Sequence, residues 1–346
     1  MELAQELQRR SEAKVDFLVP SSSVTMMSHD KDVEVGFVNG ELHTFSPTAH
    51  FHGQIASYTD IPKRYYDRML AEAPELLTAN VNDWLSRKSD RRMVRTMDGS
   101  ARAFLSDRYR RFDNEDVMEA VLPVLMESKE IRVESADVTD TRLYVKAVFP
   151  KLEGEVKRGD VVQAGVVISN SEIGLGSIKI QPLVFRLVCL NGMIAEDSGL
   201  NRYHVGRRVD GDGVDVATLF RDETLQADDR ALQLKIADVV RGAMAEAQFK
   251  RLIEKMVAAT EGQQIEQPVA AVEILAKKVG LNGEEKNSAL MSLIRGGDFS
   301  RWGVLNAVTS VANEHPDYDR ATEIESIGGQ ILNLPVGEWR EIAEAA

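Results

Sequence analysis

The stretch from Ile131 to Ile194 most constrains the fold, because it contains four β-prone runs with short connections between them. The runs read IRVESADVT, TRLYVKAVF, DVVQAGVVISNS and SIKIQPLVFRLVCL. Short connections suit antiparallel neighbours, whereas parallel strands need long crossovers. The sequence therefore predicts an antiparallel β-meander, with the polar segment KLEGEVKRGD as a loop and GLGS as a hairpin turn. The last run is apolar on both faces, so we expect it to be a covered central strand with Cys189 in its interior.

Helical patterns flank this predicted meander. Residues 1–14 indicate a helix, and Asn39-Gly40 favours a type I′ hairpin before a second helix. Ser46 or Thr48 is the predicted cap of that helix, with Pro47 in its first turn. A helical region follows the meander, and the glycine pairs at 296–297 and 328–329 are predicted helix ends. The predicted fold class is α+β: an antiparallel β-meander sheet packed with helices, followed by a helical C-terminal region. We expect a domain at 1–215, a long helical segment at 216–260 and a C-terminal helical domain at 261–346.

Composition excludes several classes of protein. The chain has 346 residues and a net charge of −13, with an ordinary share of apolar residues. No apolar run is long enough to span a membrane, and the charged N-terminal segment does not resemble a secretory signal. A single cysteine cannot form an intramolecular disulfide or a multi-cysteine metal site. These features favour a cytoplasmic protein that has no membrane partner.

The most basic part of this acidic chain is the segment 86–111, which we call the basic stretch. It contains nine Arg or Lys and three Asp, a net charge of +6. A local positive field in a negative molecule indicates an anionic partner, either outside the protein or on its own surface. Asp98-Gly99 favours a hairpin turn, which would place Arg95 and Arg102 on adjacent strands near that turn.

Two interpretations of the basic stretch remain open. It is either a solvated strand face that pairs with acidic helices, or a groove that follows nucleic-acid phosphates while Tyr109 stacks on bases. A second basic cluster lies at 202–208, with Tyr203 interleaved. The groove interpretation assigns nucleic-acid contacts to Arg87, Lys88, Arg91, Arg92, Arg95, Arg102, Arg108, Tyr109, Arg110, Arg111, Arg202, Arg207 and Arg208.

The remaining candidates for chemistry are weak. His50 and His52 could suggest a metal, but residues two apart on a helix point to different sides, so we expect no metal site. A buried Cys189 favours a core residue over a nucleophile. Arg186 lies within a predicted central strand and needs a carboxylate or an anionic ligand, because an unpaired buried charge is costly. We therefore assign no catalytic residue and no cofactor.

Three groups of sequence strings point to one family. They are WLSRK, RRMVR and ARAFLSDRYRRFDNEDV; SEIGLGSIKIQPLVFRLVCLNGM; and RWGVLNAVTSVANEH with ATEIESIGGQIL. The chain resembles, over about residues 40–335, the phage/plasmid-like "domain of unknown function 932" (DUF932) family. That resemblance implies a setting on mobile elements and supplies no catalytic residues. The order of helix, β-meander and long helix is also similar to the core of single-strand annealing recombinases, whose rings or filaments hold an extended DNA strand.

The leading hypothesis is a non-enzymatic nucleic-acid-binding protein of a phage or plasmid, with single-stranded DNA as the favoured partner and assembly into a homo-oligomer. The alternative is a protein-interaction or anti-defence module that binds a host protein and no nucleic acid. In that case the basic stretch would be an internal ion-pair face. A third hypothesis, an enzyme with a small site near Arg186 and Cys189, requires a pocket there.

Overall fold

The computed structural model describes residues 2–30, 32–109, 111–128, 130–176, 178–195, 222–243 and 245–345. The chain divides into two compact units. The first is formed by the described residues of Met1–Glu115, Ser171–Gly176 and His204–Asp222. The second is formed by the described residues of Asp116–Asn170, Ser177–Tyr203 and Glu223–Ala346.

The first unit contains a six-stranded sheet with the strand order β1-β5-β6-β4-β3-β2. Its strands are β1 Lys14–Pro20, β2 Thr25–His29, β3 Asp32–Asn39, β4 Glu41–Pro47, β5 Arg91–Met97 and β6 Ser100–Ser106. Four helices accompany them: α1 Glu2–Ala13, α2 Ala49–Tyr58, α3 Lys63–Glu72 and α4 Pro74–Ser86. One apolar core joins the sheet to α2, α3 and α4, with Phe51, Ile55, Tyr66, Leu77 and Val94 fully buried.

Two predicted hairpins form in this unit, but only one has the predicted turn. Asp98 and Gly99 both have positive φ, at 50° and 75°, and Met97 pairs with Ser100. These φ angles are those of a type I′ turn, and the hairpin turn predicted at Asp98-Gly99 is confirmed. At the other hairpin Asn39 pairs with Glu41. Of the pair Asn39-Gly40 only Gly40 has positive φ, so the prediction of a type I′ turn was wrong there.

The start of α2 confirms one predicted cap and corrects another detail. The Thr48 hydroxyl accepts a hydrogen bond from the Phe51 amide at 3.2 Å, which satisfies one of the free N–H groups of the first turn. Pro47 is the last residue of β4 and pairs with Ala101, so its predicted place inside the helix was wrong.

The second unit contains a five-stranded sheet with the order β11-β10-β9-β8-β7, in which all neighbours are antiparallel. Its strands are β7 Arg132–Val138, β8 Leu143–Lys157, β9 Asp160–Asn170, β10 Lys179–Arg186 and β11 Asn191–Ile194. This sequential order confirms the predicted meander. Together with the helices that follow it, the sheet gives the predicted α+β class.

Two details of the meander differ from the sequence-based expectation. The predicted loop KLEGEVKRGD is mostly strand, because β8 continues to pair with β9 as far as Lys157 and Asp160. The chain turns only at Arg158 and at Gly159, which has a φ of 82°. Cys189 is exposed and lies outside the strands, since the chain reverses after Arg186 and pairs that residue with Asn191 of β11.

Helices make up most of the rest of the described chain. They are α5 Asn114–Glu127, α6 Asp222–Ala243, α7 Glu246–Glu261, α8 Pro268–Val279, α9 Gly283–Gly296, α10 Arg301–Ser310, α11 Tyr318–Leu332 and α12 Val336–Ala343. Helices α7, α8, α9, α10, α11 and α12 contribute to one apolar core that includes Met256, Leu275, Trp302 and Ile324, with Val184 and Met193 from the sheet. None of the described helices is both long and apolar enough to cross a membrane.

The two glycine pairs behave differently. Gly297 ends α9 in the left-handed conformation, with a φ of 64°, as the sequence predicts. Gly328 and Gly329 lie inside α11, so the prediction of a helix end there was wrong. A Cβ on Gly328 would lie 2.4 Å from the Thr309 Cγ2 and 3.1 Å from the Met193 Cγ. The absence of a side chain therefore permits close packing at this point in the helix.

Candidate nucleic-acid interface

Part of the basic stretch is buried in ion pairs. Arg95 lies on the face of β5 opposite Val94 and is 2% exposed. Its Nε donates to the Asp16 Oδ1 at 2.9 Å. Its two terminal nitrogens donate to the two carboxylate oxygens of Asp113 at 2.8 Å each. Nη1 also donates to the Glu172 carbonyl at 2.8 Å. This guanidinium is thus fully engaged within the first unit, and it is unavailable to a nucleic acid.

Arg102 lies on the same side because of a β-bulge. Arg95 pairs with Ala103 and Thr96 pairs with Ala101, so Arg102 is the extra residue of β6. Its Nη1 lies 3.4 Å from the Glu172 Oε2, and both residues are buried. The expectation that Arg95 and Arg102 contact a nucleic acid was therefore wrong, because burial and carboxylate partners hold both of them.

A lysine completes this buried network. The Lys14 Nζ lies 3.2 Å from Asp113, 3.0 Å from Glu115 and 3.0 Å from Glu172. In the described part of the chain, the oxygens of these three acidic residues are close enough together to hold a cation. The ammonium already contacts all three, so the arrangement neutralises the carboxylates with a side chain of the protein. Burial alone would raise the pKa of Asp113, but the hydrogen bonds and charge of Arg95, with the charge of Lys14, keep it below its ordinary value.

Another part of the basic stretch is accessible and lies against aromatic rings. The Arg87 guanidinium carbon is 5.1 Å from the centre of the Trp84 ring, and Trp84 is 42% exposed. The Lys88 Nζ is 4.2 Å and the Arg92 guanidinium carbon 4.0 Å from the centre of the Tyr58 ring. We call these five residues the cation–aromatic cluster. It is formed by the ends of α2 and α4 and the start of β5.

Acidic residues partner the cations of this cluster. Asp83 lies 2.7 Å from Arg87, Asp90 lies 2.9 Å from Arg92 and Asp60 lies 3.9 Å from Lys88. The pairs of Arg87 and Lys88 are at the surface, where water and salt screen them and a competing anion can replace the carboxylate. Arg92 is more enclosed, with its side chain 20% exposed.

The other predicted contacts are scattered. Arg91 and Arg108 are exposed, and Arg111 is exposed with its Nη1 3.4 Å from Asp16. The Tyr109 ring packs against the buried Met93, Ala103, Leu105 and Ile173, and its hydroxyl donates to the Ser171 carbonyl at 3.2 Å. The ring and the hydroxyl of Tyr109 are thus both held by partners within the first unit. Arg110, Arg202, Arg207 and Arg208 lie outside the described residues.

Sequence reasoning missed the two aromatic residues of the cluster. Trp84 precedes Arg87 by three positions at the end of a helix, a spacing that places both on one face. That pattern was a usable signal for the Trp84 and Arg87 pair. Tyr58 is separated from Lys88 by thirty positions, so only the fold brings it to Lys88 and Arg92.

In the second unit, Arg186 has the structural role that was one of its two predicted alternatives. Its Nε donates to the Asp160 Oδ1 at 2.6 Å and its Nη2 to the Asp160 Oδ2 at 2.9 Å. The indole nitrogen of Trp302 donates to that same Oδ2 at 2.9 Å. Cys189 contacts this group, with its sulfur 3.1 Å from the Arg186 Nη1. The carboxylate thus stabilises a half-buried arginine and joins the sheet to α10.

The two histidines of α2 serve as hydrogen-bonding groups in the first unit. The His50 Nε2 lies 2.8 Å from the Ile173 carbonyl oxygen. The His52 Nδ1 lies 2.8 Å from the Tyr66 hydroxyl, and burial lowers the pKa of His52 to about 4. Both rings therefore have protein partners, and His52 is neutral near pH 7.

The comparisons with known proteins identify one family. No curated protein and no solved structure matches the chain. One family model, the domain of unknown function DUF932, matches residues 102–326. The matched region covers more than half of the chain and includes the LSDRY string, the RLVCLNGM string and the whole meander of the second unit. The cation–aromatic cluster lies before it. The chain therefore belongs to the DUF932 family.

Proposed function

We propose that this protein binds single-stranded nucleic acid, with single-stranded DNA as the favoured partner, at the cation–aromatic cluster. The observation that carries the proposal is the contact between the exposed Trp84 ring and Arg87, beside Tyr58 with its two cations. Proteins that bind single strands without sequence preference combine aromatic rings, on which bases stack, with cations that contact phosphates. The cluster contains both kinds of group, because Arg87 and Lys88 are adjacent in the chain and each of them contacts one of the two rings.

The two rings would contribute differently. Trp84 is the more accessible ring, so it offers the stacking surface for a base. Lys88 and Arg92 both lie near the Tyr58 ring, so this ring serves to position the two cations. Stacking of one base on an aromatic side chain is worth about 1–3 kcal/mol. Binding of this kind tolerates any base, because every base has a π-face.

Because the net charge of the protein is −13, we expect the nucleic acid to contact only a small area of its surface. A phosphate must displace Asp83 from Arg87 and Asp60 from Lys88, and both displacements occur at the surface. The binding should therefore weaken as the salt concentration rises. For single strands, the logarithm of the affinity falls with the logarithm of the salt concentration, with a slope of about −0.7 for each neutralised phosphate. Assembly into a homo-oligomer, a mobile-element setting and a cytoplasmic location belong to the same proposal, which the family resemblance and the element order support.

The experiment is a fluorescence anisotropy titration of a labelled oligothymidine at low salt. The double variant Trp84→Ala, Arg87→Ala should lose most of the binding. The matched control is Ile294→Ala, Arg295→Ala, which removes one exposed apolar side chain and one exposed arginine from α9. Unmodified protein that fails to bind the oligonucleotide would refute the proposal, and so would equal losses in both double variants.

A second candidate function is the protein-interaction or anti-defence module. Its support is the ion pairing of the basic stretch: Arg95, Arg102 and Arg111 all contact carboxylates of the same unit. If this candidate is right, neither DNA nor RNA will bind at low salt, and a purified basic host protein will bind instead. Variants of the cation–aromatic cluster will then leave that interaction unchanged.

A further inference from the structure

The second unit contains a cavity of about 370 Å³, separate from every residue discussed above as a nucleic-acid contact. It lies among strands β7, β8, β10 and β11 and the first half of α11. Its polar lining includes Ser135, Lys146, Asn313, Tyr318 and Glu325. Binding pockets for small molecules measure roughly 300–1,000 Å³. This cavity is at the small end of that range, which suits a ligand of one or two rings.

The charged groups in the cavity are paired with one another. The Lys146 Nζ lies 2.6 Å from the Glu325 Oε2 and 4.6 Å from the centre of the Tyr318 ring. Glu134 also lines the cavity, and Arg132 partners it. Each lining carboxylate therefore has a cationic partner, and His315, which also lines the cavity, lies 3.7 Å from Glu285. The site thus has no unpaired charge that would select an ion. A neutral ligand fits this balance best.

The polar groups offer donors and acceptors side by side. The ammonium of Lys146 has three N–H donors, whereas the carboxylate of Glu325 accepts. The Tyr318 and Ser135 hydroxyls lie 2.5 Å apart and use one proton between them, which leaves the second proton for a ligand. The Asn313 amide supplies both kinds of group. A ligand edge that alternates donor and acceptor, as an amide or an amidine does, would satisfy this set.

The remaining walls are apolar. Leu183, Phe185 and Leu190 line the cavity from the sheet and the turn before β11, and Ala312 and Ala321 line it from the other side. Phe185 contributes an aromatic ring, and the Arg132 guanidinium carbon lies 5.7 Å from its centre. Apolar walls around a few convergent polar groups are typical of sites for flat, partly polar rings.

We propose that this cavity binds a neutral nucleobase or nucleoside, whose ring packs against Phe185 and the leucines while its polar edge contacts Glu325, Lys146 and the Tyr318 hydroxyl. The proposal goes beyond single-strand binding and does not depend on it. The ligand would be a free base or nucleoside and would lack a phosphate, because Lys146 is the one Lys or Arg among the lining residues and is already paired with Glu325. Burial raises the pKa of Glu325, and the charge of Lys146 partly opposes this shift.

The test is isothermal titration calorimetry of the full chain with adenosine, guanosine, cytidine and uridine, each against its 5′-monophosphate. At least one nucleoside should bind more tightly than its monophosphate. Tyr318→Phe, which removes one hydroxyl and keeps the ring, should weaken that binding about five- to tenfold. Its matched control is Tyr65→Phe, which removes the hydroxyl of an exposed tyrosine and should change nothing.

The Lys146–Glu325 pair provides a second variant, which keeps the test interpretable if a single substitution prevents folding. Lys146→Met alone leaves Glu325 buried without its partner, whereas Lys146→Met, Glu325→Gln removes both charges together. The double variant should fold and lose nucleoside binding at least tenfold. The proposal is overturned if no nucleoside binds the folded protein at millimolar concentration, or if binding survives Tyr318→Phe and the double variant unchanged. Trp84→Ala, Arg87→Ala should leave nucleoside binding intact, so failure at one site is distinguishable from failure at the other.

Discussion

The guanidinium of Arg95 and the carboxylate of Asp113 form a two-point ion pair, with both nitrogen–oxygen distances at 2.8 Å and Arg95 only 2% exposed. Asp113 lies 18 positions after Arg95 in the chain, beyond the hairpin that contains Arg95. The pair therefore fastens the segment after β6 to the face of β5. Part of the positive charge that makes the basic stretch conspicuous thus stabilises the first unit itself.

Replacing Arg95 should destabilise the protein strongly. Arg95→Met leaves Asp113 without its guanidinium partner and Asp16 with only the exposed Arg111, and breaking a buried ion pair from one side costs about 3–5 kcal/mol. Urea unfolding followed by circular dichroism measures the loss. Arg91→Met on the same strand is the matched control, because Arg91 is exposed and its change should stay within about 0.5 kcal/mol. Similar losses in both variants would contradict the structural role of Arg95.

The same pair predicts how stability depends on pH. The pKa of Asp113 is lower in the folded protein than its ordinary value of 3.8, because Arg95 and Lys14 outweigh the effect of burial. A carboxyl of this kind stabilises the fold above its unfolded pKa, and that contribution is lost as the pH falls through the folded pKa. The difference in unfolding free energy between the unmodified protein and Asp113→Asn should therefore be constant at pH 5–7 and shrink below about pH 4. A difference that persists unchanged to pH 2 would show that the charge of Asp113 does not contribute.

Two helical glycines should respond to alanine in opposite directions. Gly328→Ala would place a Cβ 2.4 Å from the Thr309 Cγ2, and such overpacking costs about 1–3 kcal/mol, more than alanine gains in helix propensity. Gly337 in α12 has no atom within 4 Å of the same position, so Gly337→Ala should be neutral or stabilising by a few tenths of a kcal/mol, roughly. Thermal unfolding of both variants checks the pair. A stable Gly328→Ala protein would contradict the close contact of α11 with α10.

The two partners of the Asp160 carboxylate, Arg186 and Trp302, should contribute unequally to the stability of the protein. Trp302→Phe removes one hydrogen bond and three buried ring atoms, so we expect a loss of about 2 kcal/mol. Arg186→Met removes the only ion-pair partner that the described residues give Asp160, and its loss should be larger, about 3 kcal/mol. Urea unfolding of the two single variants gives the order. A larger loss in Trp302→Phe would show that the indole, not the arginine, holds the carboxylate.

The regular elements were predictable because their signals are local. Asp98-Gly99 specifies its turn through two residues that tolerate positive φ, and the runs between Ile131 and Ile194 specify a meander through short connections. The exceptions depend on partners distant in sequence. Residues 151–157 look like a polar loop but continue β8 because β9 supplies hydrogen bonds. Gly328 looks like a helix end but lies within α11, against a helix and a strand that the sequence cannot place beside it.

The candidate interface was only partly predictable for the same reason. The charges in the sequence identified the basic stretch, but they could not show which of its arginines are buried. Arg95 is buried against Asp16 and Asp113, whereas Arg87 lies at the surface. The need of Arg186 for a carboxylate or an anionic ligand followed from its apolar neighbours, whereas its partner Asp160 could not be predicted. The cavity around Lys146 had no sequence signal, because its lining comes from four strands, the turn before β11, the segment 312–315 and one helix.

The most direct measurement is the tryptophan fluorescence of the protein during titration with unlabelled oligothymidine. Trp84 is 42% exposed, whereas Trp302 and Trp339 are 1% and 3% exposed, so quenching by a stacked base reports on Trp84. We predict saturable quenching in the unmodified protein and none in Trp84→Phe. In Arg87→Ala, the slope of log affinity against log salt concentration should become shallower by about 0.7. Binding without quenching would place the single strand elsewhere, and the absence of binding at low salt would contradict the proposed function.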